Sequence, residues 1–118
     1  MPPVYKSVAV VVVAAMLLCS LADADTFPVG GSAGWSLDMG GWPNGKTFNA
    51  GDIIVFNYNP AVHNVIIVTK EDYDACAPVG TKLNSGHDQV TLTSGTSYYI
   101  CGTPGHCDAG QQVTVTAV

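Results

Sequence analysis

The sequence predicts an all-β fold, a Greek-key β-sandwich, and three observations support this prediction. Segments rich in Val, Ile, Thr and Tyr recur along the chain, and Gly, Pro and Asn separate them. The last segment, Gln112–Ala117, alternates polar and apolar residues, as a half-buried strand does. Only one short segment, Lys70–Ala75, favours a helical turn. Many short strands in one small chain are typical of two packed antiparallel sheets.

The predicted strands lie between residues that favour turns. Ile53–Phe56 and Val65–Val68 are continuous apolar runs, which suit central strands. Asn49–Asp52 and Thr93–Thr96 have the composition of turns. In chain order, the predicted strands are Thr26–Val29, Thr47–Asn49, Asp52–Tyr58, Asn64–Thr69, Gln89–Leu92, Ser97–Cys101 and Gln112–Ala117.

Residues 1–24 have the pattern of a secretory signal peptide. Lys6 precedes an apolar run over Val8–Leu18, and Ala22-Asp23-Ala24 supplies the small residues of a cleavage site. A transmembrane anchor is the alternative, but the run is shorter than the ~20 apolar residues that a span requires. We therefore expect cleavage after Ala24 and a single domain over residues 25–118.

The charge balance excludes several classes of partner. The chain has 4 basic and 9 acidic side chains and a net charge of −5, so it is a poor ligand for nucleic acid and for anionic membranes. The sequence ends directly after the last predicted strand, without the apolar tail of a GPI signal. We expect a secreted monomer without a membrane anchor.

The cysteine count predicts one thiol outside a disulfide. Cys19 belongs to the leader, which leaves Cys76, Cys101 and Cys107. Cysteines of secreted proteins normally pair, and three cannot all pair within one chain. Metal ligation accounts for the remaining thiol, because a coordinating thiol is held as the thiolate.

From the last residue of the sixth predicted strand onward, every fifth residue is a possible metal donor. Cys101 supplies a thiolate, His106 an imidazole and Gln111 an amide oxygen, and two glycine-containing turns separate them. His63 supplies a second imidazole, which we expect to come from a neighbouring strand. Two histidines, one cysteine and a weak axial donor form the ligand set of a blue-copper electron-transfer site. Zinc is the alternative, but it prefers four firm ligands and an amide oxygen is a weak one.

Two other residues compete for the axial position. Gln112 is one, but neighbours on an extended segment point in opposite directions, which favours Gln111. Met39 offers a thioether from a Gly-rich stretch and is the less favoured choice.

Each predicted ligand also has an ordinary structural alternative. His63 could be a core histidine, Cys101 a disulfide partner, His106 a surface residue and Gln111 a solvated side chain. Copper is favoured because four such coincidences at this spacing are improbable.

The same alternation suggests a hypothesis for the other two cysteines. If His106 faces the metal, Cys107 faces away from it and can pair with Cys76. Cys101 is then left for the metal. The bridge would tie the ligand loop to the segment that follows His63.

The chain resembles the phytocyanins, the plant family of small secreted blue copper proteins, over Thr26–Val118. The ligand loop is the most specific part of this resemblance, which rests on Val29–Trp35, Phe48–Asp52, Val62–Val65 and Tyr98–Gln111. The resemblance implies a cupredoxin-like fold, one type 1 copper ion and a location in the apoplast or cell wall. It implies the equatorial ligands His63, Cys101 and His106, the axial ligand Gln111, the bridge Cys76–Cys107, and Asn64 as the residue that steadies the Cys101 loop.

Two features of the chain are similar to different subgroups of the family. The compact domain without a tail is similar to the plantacyanins, which usually carry an axial Met and tend to be basic. The axial Gln111 is similar to the stellacyanins, and the chain is acidic.

The sequence therefore predicts outer-sphere transfer of single electrons through Cu(II) and Cu(I), and not an enzyme. All four donors come from the protein, which leaves no open position for a substrate. We expect a transient partner, either a redox protein or a small extracellular redox molecule. One alternative is an extracellular-matrix binding or signalling module in which copper redox is incidental. Another is a cysteine nucleophile with His63 or His106 as base, although no third orienting residue is evident.

Overall fold

The structure, a computed structural model, describes residues 24–118 and contains seven strands in two sheets. The predicted leader lies outside the described residues, apart from Ala24. A short 3-10 helix covers Gly31–Ala33 and the helix α1 covers Lys70–Ala75. The strands are β1 (Thr26–Pro28), β2 (Ile53–Asn57), β3 (Val65–Val68), β4 (Thr81–Leu83), β5 (His87–Thr91), β6 (Gly95–Ile100) and β7 (Gln112–Ala117).

The pairing of the strands brings the predicted ligand segments to one end of a sheet. The first sheet has the order β1-β2-β5, and the second has the antiparallel order β4-β3-β6-β7. Ile100, the last residue of β6, lies opposite Gln112, the first residue of β7, and opposite Ile66 near the start of β3. Cys101, Gln111 and the segment before β3 therefore meet at the same edge.

The core between the sheets is aromatic beneath this edge. Trp35 is buried and its ring meets that of Phe56 edge to face, with centroids 5.0 Å apart. Phe56 in turn lies 5.2 Å from the buried ring of Tyr99 on β6. Aromatic pairs of this kind add packing energy to the burial of their large apolar surface. This packed aromatic core adjoins the donor segments, since the Trp35 indole N–H donates to the Asn64 carbonyl, next to His63.

Most of the predicted elements are present, but one predicted strand is nearly absent, one observed strand was not predicted, and β6 begins at Gly95, inside the predicted turn Thr93–Thr96. The helix has the predicted bounds, and the backbone N–H of Asp72 donates to the Thr69 hydroxyl that caps its start (3.2 Å). The predicted strand Thr47–Asn49 is reduced to one bridge between Phe48 and Ala117. The strand β4 was not predicted, because three residues at a sheet edge give too little alternation to recognise. Among residues 24–118, no helix has the length and apolarity that crossing a bilayer requires.

Candidate metal centre

Three of the predicted ligands meet at the edge of the four-stranded sheet. The donor atoms of His63, Cys101 and His106 all lie within 4.8 Å of one another. The two Nδ1 atoms of the histidines are 3.1 Å apart, and the Cys101 Sγ is 3.8 Å from the Nδ1 of His106. The cysteine is fully buried, whereas both histidines are half-buried.

Backbone hydrogen bonds fold the loop after β6 so that its donors converge. The N–H of His106 donates to the Thr103 carbonyl (3.0 Å), and Gly105 takes a positive φ of 81° that a side chain would disfavour. The N–H of Gln111 donates to the His106 carbonyl, and the N–H of Cys101 donates to the Gln111 carbonyl, each at 3.0 Å. Hydrogen bonds of the backbone thereby hold residues 101, 106 and 111 close together.

His63 reaches the site from a loop, where a strand position was expected. The residue lies between β2 and β3, and its N–H donates to the Asn59 carbonyl at 3.0 Å. The prediction of a strand position was wrong because Pro60 lacks a backbone donor and the following residues form a turn. The position is still adjacent to Cys101, since β3 begins beside the end of β6.

Hydrogen bonds on both sides of His63 join its loop to the Cys101 loop. The Gly102 N–H donates to Asn64 Oδ1 (2.7 Å), so the Asn64 side chain contacts the Cys101 loop. The Thr103 hydroxyl donates to the Val62 carbonyl (2.8 Å), and the Trp35 indole N–H donates to the Asn64 carbonyl (2.8 Å). Sequence reasoning missed these roles of Thr103 and Trp35, because neither residue type carries a signal for a contact so distant along the chain.

Gln111 combines complete burial with an unusual hydrogen-bonding state. Its Oε1 lies 3.1 Å from the Nδ1 of His106, whereas its Nε2 has no hydrogen-bond partner among residues 24–118. A buried amide nitrogen without a partner costs about 1–3 kcal/mol. This cost falls on the same side chain whose oxygen lies beside the His106 imidazole.

The two rival axial residues lie elsewhere. The Oε1 of Gln112 is 3.2 Å from the Sγ of Cys107, so this side chain faces the disulfide. Met39 belongs to the buried core, and its backbone N–H donates to the Gly110 carbonyl at 2.8 Å. Of the three candidates, Gln111 is the one whose side chain meets a histidine of the cluster.

The environment of His63 disfavours the charged form of its imidazole. Burial, followed by the neighbouring His106 ring, lowers the pKa of His63 below its usual value. A histidine binds a metal as the neutral imidazole, so a lowered pKa favours the metal-binding form.

The residues present fit one copper ion. Metal–nitrogen bonds of ~2.0 Å place two ligand nitrogens less than ~4 Å apart, and the histidine nitrogens satisfy this limit. A soft thiolate with two imidazoles and a weak, orphaned amide suits copper better than zinc. The cluster therefore has the chemistry of a blue-copper site.

A disulfide joins Cys76 to Cys107, next to His106. Cys76 is the C-cap of α1, so the bridge fastens the ligand loop to the end of the helix. Cys101 is the one free cysteine among the described residues. The predicted division of the three cysteines, one buried thiol and one bridge, is present in the structure.

Removing the bridge with the double substitution Cys76→Ala/Cys107→Ala should lower the free energy of unfolding of the metal-free protein. The bridge closes a loop with a sequence separation of 31, for which the chain-entropy relation gives about 3–4 kcal/mol. Urea unfolding followed by circular dichroism measures the difference. A loss below about 1 kcal/mol would show that the bridge constrains the unfolded chain far less than this relation implies.

Comparisons with known proteins agree with this site. A family model described as a plastocyanin-like domain matches residues 32–111. A chemocyanin of Lilium longiflorum is 46% identical over 92% of this chain and 87% of its own length. The solved structure of cucumber basic protein, titled a blue copper protein, superposes with a TM-score of 0.77 at 44% identity, over 79% of this chain and 99% of that one. Cucumber stellacyanin, solved with Cu2+, superposes with a TM-score of 0.73 at 30% identity, over 80% of this chain and 96% of that one.

Proposed function

Because the chain belongs to the phytocyanin family of blue copper proteins, we propose that it is a secreted electron carrier that passes single electrons by outer-sphere transfer. His63, Cys101 and His106 would hold the copper ion, and Gln111 would supply the weak fourth donor. The observation that carries this assignment is the convergence of the three donors within 4.8 Å, with the buried Gln111 oxygen beside them.

A rigid protein environment suits this role. Copper in the site supplies a one-electron couple between Cu(II) and Cu(I). The hydrogen bonds of Asn64 and Thr103 hold the two ligand loops together, so the ligands need to move little when the charge of the site changes. All donors belong to the chain and none has to leave, which favours electron transfer over the turnover of a bound substrate.

The half-buried histidines provide the route for the electron. Cys101 is shielded from solvent, whereas His63 and His106 are half-buried, and their loops also carry the exposed residues Val62 and Pro104. A partner that touches this surface comes close to the ligands without entering the site. A small, transient contact with a redox protein or a small extracellular redox molecule fits such a surface.

Secretion is the second part of the proposal. The charged start, apolar run and small residues of positions 1–24 support cleavage after Ala24 and release of residues 25–118 into the apoplast or cell wall. The disulfide between Cys76 and Cys107 suits an oxidising compartment.

Titration of the purified protein with Cu(II) tests the copper assignment. We expect an intense blue absorption that saturates at one equivalent, together with a reversible one-electron wave in voltammetry. The variant His87→Ala is the matched control, because this third histidine is exposed on β5 and outside the cluster. The assignment fails if Cu(II) binds without the blue absorption, or if His87→Ala removes it.

A further inference from the structure

The most buried carboxylate of the described chain lies at the end of the sandwich away from the metal centre. Asp52 is 1% exposed and directly precedes β2, whereas the His63 loop follows the other end of that strand. Its Oδ2 accepts the N–H of Asn49 at 2.8 Å. Among residues 24–118 the single ion pair is Lys70–Asp74, so no basic side chain of that region neutralises Asp52.

The second oxygen of Asp52 faces the backbone nitrogen of Asp25. The distance from Asp25 N to Asp52 Oδ1 is 2.9 Å. The carbonyl of Asp25 accepts the N–H of Ile53 at 2.8 Å, so the residue is held from both sides beside the start of β2. This nitrogen is an amide as long as Ala24 precedes it, and an amide offers one neutral hydrogen bond.

We propose that cleavage after Ala24 converts this nitrogen into an α-ammonium group that forms an ion pair with the buried Asp52. The inference rests on the proposed secretion, and it makes removal of the leader a step that stabilises the fold. Hydrolysis adds water across the Ala24–Asp25 bond: the Ala24 carbonyl carbon gains the oxygen, and the Asp25 nitrogen is released as an amine. That amine takes up a proton at neutral pH, because an α-amino group has a pKa of ~7.7–8.0.

The physical gain comes from a carboxylate that is already buried. Creating a buried ion pair usually costs as much desolvation as it returns, but here Asp52 is desolvated whether or not a cation is present. Exchange of a neutral donor for a charged one at 2.9 Å then strengthens the existing hydrogen bond. If one residue remains before Asp25, the α-ammonium group lies ~3.8 Å further along the chain, and the Asp25 nitrogen is again a neutral amide donor.

Two forms of the domain test the proposal, one that begins at Asp25 and one that begins at Ala24. Residues 24–118 contain both sheets and the described core, so both forms include the complete fold. We expect the Asp25 form to be more stable, by about tenfold in the unfolding equilibrium constant and about 5–10 °C in Tm. In the Asp52→Asn background the two forms should unfold alike. The proposal is overturned if they are equally stable with Asp52 present, or if their difference persists in Asp52→Asn.

A second measurement is independent of whether Asp52→Asn folds. In the folded Asp25 form the α-amine should react with an acylating reagent at least several-fold more slowly than in the folded Ala24 form, because ion pairing holds it protonated. In denaturant the two forms should react at similar rates. Equal rates in the folded proteins would contradict the ion pair.

The copper absorption of the two forms distinguishes a failure of the ion pair from a failure of the copper assignment. Both forms should show the same blue absorption with copper, since the ion pair and the metal centre lie at opposite ends of β2. Loss of that absorption in both forms would overturn the copper assignment and leave the stability comparison intact. The mass of the secreted protein identifies the natural N-terminus, and a start other than Asp25 would overturn the role of processing.

Discussion

Replacing Cys101 by serine will abolish the blue absorption of the copper-loaded protein and its reversible one-electron wave. A serine hydroxyl stays protonated at neutral pH and is a hard donor, so it cannot replace a soft thiolate. Cys101 is the one free cysteine among residues 24–118, which leaves no second thiol there to compensate. Absorption spectroscopy, electron paramagnetic resonance and voltammetry of the copper-treated variant measure the loss.

The control for this variant is the state of its fold. A hydroxyl at a buried position costs about 1–3 kcal/mol, so the metal-free variant should keep its circular dichroism spectrum and unfold cooperatively. The double variant Cys76→Ala/Cys107→Ala, which keeps Cys101, should retain the blue absorption. A blue Cys101→Ser variant would rule out the thiolate site. Full biological activity of a colourless variant would instead favour a binding or signalling module in which copper redox is incidental.

Replacing Gln111 by methionine will raise the reduction potential. An amide oxygen is a harder donor than a thioether and stabilises Cu(II) relative to Cu(I). We expect the preference for Cu(I) to increase at least tenfold in the variant, which corresponds to a rise of about 60 mV or more for one electron. Voltammetry of the two proteins under the same conditions measures the shift.

The neighbouring residue supplies a matched control for this substitution. Gln112 is the same residue type at the next position, but its oxygen lies 3.2 Å from the Cys107 sulfur and faces the disulfide. Gln112→Met should therefore leave the potential near that of the wild type. The axial assignment is overturned if Gln111→Met leaves the potential unchanged or lowers it, or if Gln112→Met produces the same shift.

Strand and helix positions were predictable where the signal is local. The apolar runs of β2 and β3 and the alternation of β7 identify buried and half-buried strands, because burial on one or two faces imposes those patterns directly. The helix α1 begins at a threonine cap and has the predicted bounds. The edge strand β4 lacks such a pattern, since its three residues depend on pairing with β3.

The candidate site was predictable in composition and only partly in geometry. Cys101, His106 and Gln111 lie in one short segment of the chain, and its glycine-containing turns limit how far apart the three donors can be. His63 comes from a different part of the chain, and its place in a loop followed from the turn at Pro60 and not from a strand pattern. Its distance to the other donors depends on the pairing of β3 with β6.

The amino-acid sequence was enough to predict the all-β class, the donor types at His63, Cys101, His106 and Gln111, and one thiol outside a disulfide. These features depend on residue chemistry and on short spacings. The folded structure was needed to show three contacts. His63 is held on both sides through Thr103 and Asn64, Gln112 faces the disulfide, and the Asp25 nitrogen meets the buried Asp52. These contacts join residues that are far apart along the chain, or they depend on the direction in which a side chain points. Strand pairing and burial determine both, and neither can be read from a short stretch of sequence.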